Sequence, residues 1–506
     1  MRWRALPRAS ALALAVVAAA PTGAWAAGIS AARFGGEHGH PTTSNPTAIY
    51  YNPAGIALAR GTHIFLDASL ALRSVEYDRP VSMISNQGVS QDALAANSGG
   101  ASVFNPLVGP FAGVSSDFGT DWISAGVAWY YPFGGQSIWD QNSDFDGDSR
   151  FPGAVDGTQR WYSIDGTIRS MYLTGALAFN IRDWNLSIGV SGSAIRSEVN
   201  TIRARNTDGS DDLTADGTDD GPLKEGRSQI DVSGWQGGFG VGLIWQPLPD
   251  ELWLGLSYQS QPGVSGGMTL KGTLQNALST GPASKTDVEL QQAMPDVVRF
   301  GTRYRPFADW EFRLFGDYTR WSVLDRQCLR QTGVPRDDNG NVIAGPQSCN
   351  FGGLDDARSN PGGVTFRAEK TTVDGQEFDT TPATQHLVRK WVDSFGLRLG
   401  ASYWAIPELE IYLGLGFDSN AIPDETLDPA ITDADKVSVA AGTRWQIVEN
   451  LGMAFTFTQL IYFERDTAGR AINNQFPTGI NTRQPGNGGV YNQMISVFNL
   501  YADISF

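Results

Sequence analysis

Cys328 and Cys349 are the chain's two cysteines, and both fall in one long polar segment. A pair of thiols exported to an oxidising compartment is expected to close a disulfide, with two free thiols as the alternative. Two acidic runs are the next candidates for chemistry. "DFDGD" carries Asp144, Asp146 and Asp148, and "DGSDDLTADGTDDG" spans 208–221. Neither has the EF-hand spacing with its distal glutamate, so solvated surface loops are expected rather than a metal site, with divalent bridging to lipopolysaccharide as a further possibility. Glu37, His38 and His40 could ligate a metal, but polar contacts within the fold suit them better. "GGFGVG" (237–242) has the letters of a dinucleotide fingerprint. Its glycines alternate with apolar residues along a strand and no helix follows, so no cofactor is expected. No G-x-S-x-G elbow occurs, and four histidines offer no plausible triad. An enzyme is not expected.

The ends say where such residues would be held. "MRWRALPRASALALAVVAAAPTGAWA" has a basic start, a short apolar run and a small-x-small end. It reads as a signal peptide over residues 1–26. At the other end, Phe498, Leu500, Ala502, Ile504 and Phe506 form an apolar face opposite Asn499, Tyr501, Asp503 and Ser505. This alternation suits a strand with lipid on one side and water on the other, and the terminal aromatic, Phe506, is expected to be read by barrel-insertion machinery. The chain is 41% hydrophobic with a mean hydropathy of −0.22, too polar for a helical membrane protein. Its net charge of −16 argues against a nucleic-acid partner.

Alternating segments recur along the whole chain. In "WQGGFGVGLIW", Trp235, Phe239, Val241, Leu243 and Trp245 share one face; in "FGLRLGASY", Phe395, Leu397, Leu399 and Tyr403 do. Charges such as Arg313 and Arg398 sit on the opposite face, which must see water. Short connections near 117–121, 181–184, 247–251, 306–310, 406–409 and 448–451 alternate with long polar ones. The expected fold is therefore all-β, a 14-stranded antiparallel transmembrane β-barrel over residues 62–506, in the outer membrane of a bacterium and monomeric. Residues 27–61 are too irregular for a wall strand. They are expected to form an N-terminal hatch inside the lumen, with Asn52, Pro53 and Ala54 as the corner that hands over to the first strand.

The third strand, "WISAGVAWYYPFGG", contains Pro132. A closed barrel has no edge strand, so a proline leaves a neighbouring carbonyl unpaired. A wall opening is expected along Gly126, Trp129, Pro132, Phe133, Gly134 and Gly135, the alternative being a proline above the lipid.

Five stretches together resemble the FadL/TodX family of outer-membrane transporters for long-chain fatty acids and other hydrophobic molecules. They are "AGIS", "NPAG", "GWQGGFGVGLIWQP", "MPDVVRFGTRYRPFADWEFRLFGDYTRWS" and "FDSNAIPDETLDPAITDADKVSVAAGTRW", in the family's order. The resemblance implies a hatch-plugged barrel whose kinked third strand opens sideways into lipid. It also implies basic residues near the outer ends of strands five and nine for a fatty-acid carboxylate; Arg196, Arg203, Arg320 and Arg326 are nearby. Leu213, Leu223, Leu274 and Leu278 in the outer loops are expected to collect the ligand. The partners implied are a hydrophobic small molecule, membrane lipid and lipopolysaccharide. Alternatives are an aromatic-hydrocarbon channel of the same family and a surface adhesin or structural barrel.

Overall fold

Side chains that alternate apolar and polar over ten or more residues place one face in lipid and the other in water, and only a closed ring satisfies every backbone group there. The computed structural model describes residues 33–264, 266–279, 281–353, 364–472 and 484–506. The expected signal peptide lies outside them, as do residues 27–32. Fourteen antiparallel strands form the ring: β1 (Thr62–Arg79), β2 (Gly99–Ser116), β3 (Ile123–Ile138), β4 (Asp165–Ile181), β5 (Leu186–Arg205), β6 (Gly226–Leu248), β7 (Leu252–Gln259), β8 (Val297–Phe307), β9 (Trp310–Thr319), β10 (Ser394–Ile406), β11 (Leu409–Asp418), β12 (Lys436–Val448), β13 (Leu451–Tyr462) and β14 (Val490–Ser505). Each pairs with the next. β14 pairs with β1 from Ser505–His63 to Val490–Asp78 and closes the ring. The expected 14-stranded barrel is the observed one.

The outward face follows the alternation. Trp235, Phe239, Val241, Leu243 and Trp245 of β6 are exposed, as are Phe395, Leu397, Leu399 and Tyr403 of β10. Phe506 closes the wall at the short-turn rim. Its N–H donates to the Thr62 carbonyl at 2.9 Å, and the Thr62 N–H donates back at 3.1 Å.

The long connections are less irregular than their polar composition suggests. β6 runs 23 residues, and its first part, Arg227–Ser233, pairs with a loop strand, Met268–Ala277. The sheet continues through Ser284–Gln292, Arg326–Gln331 and Gln385–Val388. Leu270, Leu274, Val288, Leu290 and Leu329 are buried, so this sheet roofs the ring with an apolar underside. The expected disulfide, Cys328–Cys349, is formed and staples the roof.

His386 lies in the same roof. Its ring stacks on Phe351 at 4.1 Å between centroids, and neither ring nitrogen has a hydrogen-bond partner among the described residues. Burial, with the Arg326 charge beside it, pushes its pKa down from 6.5 to about 3. An unfolded loop binds the proton nearer pH 6.5, so the unfolded form holds more protons between the two values. Roof stability is therefore full above pH 6.5 and falls as pH drops toward 3, by up to about 1.4 kcal/mol per pH unit. Hydrogen-exchange protection of residues 385–388 is expected to drop roughly tenfold per unit below pH 6.5. His386→Phe should keep the stack and flatten this profile.

Candidate functional site

The described N-terminal segment, residues 33–57, touches the inner face of the wall on several sides. The Gly35 N–H donates to Asp67 of β1 at 2.6 Å, and Asn499 of β14 donates to the Arg33 carbonyl at 3.0 Å. Ser257 of β7 donates to the Tyr51 carbonyl at 2.6 Å. His38 sits between Glu410 of β11 (Nε2–Oε1 3.0 Å) and Tyr501 of β14 (2.6 Å). His40 bonds Thr42 at 2.9 Å. His38 and His40 thus point to separate partners. Among the described residues no group of three or more His, Cys, Asp or Glu is arranged to hold a metal.

Asn52 makes several hydrogen bonds of its own. The segment makes one helical turn, Ala48–Tyr51, then a 3₁₀ turn, Pro53–Ala57. Pro53 suits the first position of that turn because it has no N–H to leave unpaired. The Asn52 Oδ1 accepts from the Ala54 N–H at 3.2 Å, and its Nδ2 donates to the Pro41 carbonyl at 2.9 Å and to the Leu243 carbonyl of β6 at 3.0 Å. The wall makes room with glycine. A Cβ on Gly242 would lie 2.0 Å from the Asn52 Oδ1, and one on Gly189 would lie 2.2 Å from the Ala54 nitrogen. Asn52, Pro53 and Ala54 are therefore docked on β5 and β6, several strands from β1, rather than beside the strand they precede. The sequence signal was available in "GVGLIW" and "LSIGVSG". Their inward glycines keep the alternation but leave one face without side chains.

The wall itself is incomplete between β2 and β3. β2 pairs with β1 along its whole length, but with β3 only from Ser116–Ala125 to Phe111–Tyr130. Beyond Tyr130 the β3–β4 register shifts, with Tyr131 and Pro132 standing opposite Met171 alone. This bulge bends β3 away from β2. The unpaired part of β2 contains Pro106 and Pro110, which pair with Leu72 and Ala68 of β1. A proline nitrogen donates nothing, so it is tolerated only where no partner strand needs it, which is the side facing β3. These two prolines were as legible in "NPLVGP" as Pro132 was in "WYYPFGG". At the top the strands meet again through side chains, where Asn105 accepts from the Ile138 N–H at 3.2 Å.

A cavity of about 150 Å³ lies under the roof, against the β3 side of this break. Phe133, Gly134, Gly135 and Ser137 of β3 face it, with Ile168, Val199, Leu290, Leu324, Leu329 and Trp391. Below it, toward the N-terminal segment, a second cavity of about 80 Å³ is bounded by Tyr50, Tyr51, Arg299, Arg398 and Asp418. Phe133 and Trp391 border both, and Trp321 packs edge-to-face between them, its ring centroid 6.2 Å from Phe133 and 5.0 Å from Trp391.

Of the basic residues considered for a carboxylate, Arg203 borders the upper cavity. Arg196 pairs with Glu198 at 2.7 Å and reaches over Trp235, which is exposed on the outer face. Arg320 pairs with Asp296 at 2.7 Å, and Arg326 donates to the Cys349 carbonyl at 3.2 Å. Leu274 is buried in the roof, Leu213 is buried within the acidic 208–221 loop, and Leu223 is exposed. Leu278 is half-buried. Gly126 stands within the intact β2–β3 ladder, where a Cβ would lie 2.9 Å from Ile49. Trp129 also precedes the break, opposite Ala112. Arg73 of β1, which borders the upper cavity, was not singled out from the sequence; it lies in an ordinary alternating strand.

Solved structures share the fold. A Pseudomonas aeruginosa FadL homologue superposes with a TM-score of 0.66 at 16% identity, over 96% of this chain and all of that one. The Ralstonia pickettii toluene transporter TbuX gives 0.56 at 15% identity, over 94% and 98% of the two chains. The Pseudomonas putida toluene transporter TodX gives 0.55 at 14%, over 92% and 95%. No curated protein matches the sequence. The family model for outer membrane transport proteins (OMPP1/FadL/TodX) matches residues 9–475, nearly the whole chain. With a closed barrel, a docked N-terminal segment and a matching model over that length, the chain belongs to the OMPP1/FadL/TodX family of outer-membrane transport proteins.

Proposed function

We propose that this channel takes up hydrophobic small molecules at the roofed face, holds them in the cavity beneath, and releases them sideways into the membrane between β2 and β3. Residues 33–57 act as the hatch that keeps the straight route closed. The observation carrying this reading is the ladder that stops at Phe111–Tyr130, beside a cavity whose β3 wall is Phe133, Gly134 and Gly135. A sideways exit also follows from solvation. Each CH₂ moved from an apolar site into water costs about 0.8 kcal/mol, so an alkyl chain leaves far more readily into lipid. The solved relatives include toluene transporters and a FadL homologue, so both aromatic hydrocarbons and fatty acids are candidate ligands. A surface adhesin would need neither the docked segment nor the broken ladder.

The test restores the ladder. Pro106→Val and Pro110→Val return two donors to β2, and deletion of Pro132 removes the bulge. Each regained hydrogen bond contributes about 1 kcal/mol. In cells lacking other routes, uptake of radiolabelled tetradecanoate and of toluene is expected to fall at least about tenfold, which is a barrier increase of only about 1.4 kcal/mol. Heat-modifiable migration on gels verifies that the barrel still forms. Unchanged uptake by a folded, surface-exposed variant would favour a straight route past the hatch.

A further inference from the structure

We infer that Arg73 is an anion-recognising residue at the exit, which selects amphiphiles with a carboxylate head. This inference rests on the lateral route proposed above. Arg73 stands on β1 opposite Asn105 of β2, level with the unpaired stretch. It is almost fully buried and borders the upper cavity. Its guanidinium passes behind β2, inside the ring. One Nη donates to the Gln136 carbonyl at 3.1 Å and to the Ser137 Oγ at 3.0 Å, and the other donates to the Thr432 Oγ1 at 3.0 Å. The Nε–H has no partner among the described residues.

All three acceptors are neutral, and no carboxylate lies within ion-pairing distance of Arg73 among the described residues. Two of the other cations bordering the cavity differ. Arg169 pairs with Glu198 at 2.7 Å and Arg389 with Asp428 at 2.6 Å. A buried guanidinium without a counter-ion is costly, and a carboxylate that brings its own charge removes that cost. The unfilled Nε–H and an Nη–H together offer the two-pronged geometry that a carboxylate accepts. An alcohol or a hydrocarbon supplies no such charge. The alkyl tail would then lie along Phe133, Leu324 and Trp391.

The same guanidinium stitches β1 to β3 across the gap in the wall. A carboxylate on the Nε edge competes with the Thr432 hydroxyl for the Nη that shares that edge and leaves the bonds to Gln136 and Ser137 in place. The segment after the bulge is also held on that side by the Asn105–Ile138 contact, by the Asp140 N–H to the Ser102 carbonyl and by the Ser102 hydroxyl to Asp140 at 2.7 Å. Recognition and the tie across the gap thus share one residue.

Two radiolabelled probes that differ only in the head group, tetradecanoate and 1-tetradecanol, test this in cells at equal surface expression. The native channel is expected to favour the acid. Arg73→Met should lower the acid-to-alcohol uptake ratio by about tenfold, as expected for loss of a charge-assisted hydrogen-bonded pair, while alcohol uptake holds or rises. Arg73→Lys should keep most of the preference. Arg73→Gln, which retains a donor for Gln136 but no charge, gives the same comparison if the methionine variant does not reach the surface. An unchanged ratio in Arg73→Met and Arg73→Gln overturns the assignment while leaving transport intact. An equal fall for both probes reduces Arg73 to a structural tie and also overturns it. Failure of the native chain to take up either probe overturns the transport reading itself, and the role of Arg73 with it.

Discussion

Tying β2 to β3 across the break is expected to stop uptake. Leu107→Cys faces inward on the unpaired part of β2, and Gly134→Cys borders the cavity on β3. A cleavable bis-maleimide of about 10 Å bridges a gap wider than the roughly 4.8 Å between paired strands. With the gap fixed, an alkyl ligand can leave only into water. Two methylenes already cost about 1.6 kcal/mol on that route, more than a tenfold slowing requires. Uptake of tetradecanoate should fall by at least that factor, and cleavage of the linker should restore it. Val114→Cys with Val127→Cys is the control, because these residues already face each other in the intact ladder. Normal transport by the tied protein would rule out the β2–β3 exit. The native Cys328–Cys349 bond takes no part, since both sulfurs are already joined.

A second large effect is expected at Gly242. Leucine there would drive its Cβ into the space of the Asn52 Oδ1, 2.0 Å away. The Asn52 amide would lose its seat on the Leu243 carbonyl and, with it, the bond to Pro41 that folds the N-terminal segment back on itself. Overpacking of this kind costs about 1–3 kcal/mol. The hatch, rather than the wall, should yield, because the wall strands are tied on both sides. Planar-bilayer recordings should therefore show steady ion conductance for Gly242→Leu and little for the native channel. Gly237→Leu supplies the control, since that glycine lies on the same strand with open space around it. Equal conductance for the two variants would mean that Asn52, Pro53 and Ala54 do not hold the lumen closed.

The two experiments separate the wall from the hatch. The tie at Leu107 and Gly134 leaves the N-terminal contacts untouched. Gly242→Leu leaves the break beyond Tyr130 untouched, because β6 is three strands away from β3.

The sequence by itself determined the barrel, the number and order of its strands, its outward face and the disulfide. These rest on local chemistry. A period of two between lipid and water shows in any ten residues, as in Trp235 to Trp245, and two lone cysteines in one exported loop have only each other. It also contained the break, since Pro106, Pro110 and Pro132 cannot serve a ladder that closes on both sides. Only the tertiary structure decided what lies against the inner face. Asn52 meets Leu243, 191 residues on, and the glycines that admit it show in the sequence only as a face without side chains, which does not say what fills it. The roof strands were hidden for the same reason: Met268–Ala277 is a strand because the start of β6 extends beyond the ring to pair with it. Arg73 looked like any inward charge on a barrel strand. Its lack of a carboxylate is a property of every element packed around it, from β3 to the loop that carries Thr432, and no local pattern encodes an absent partner.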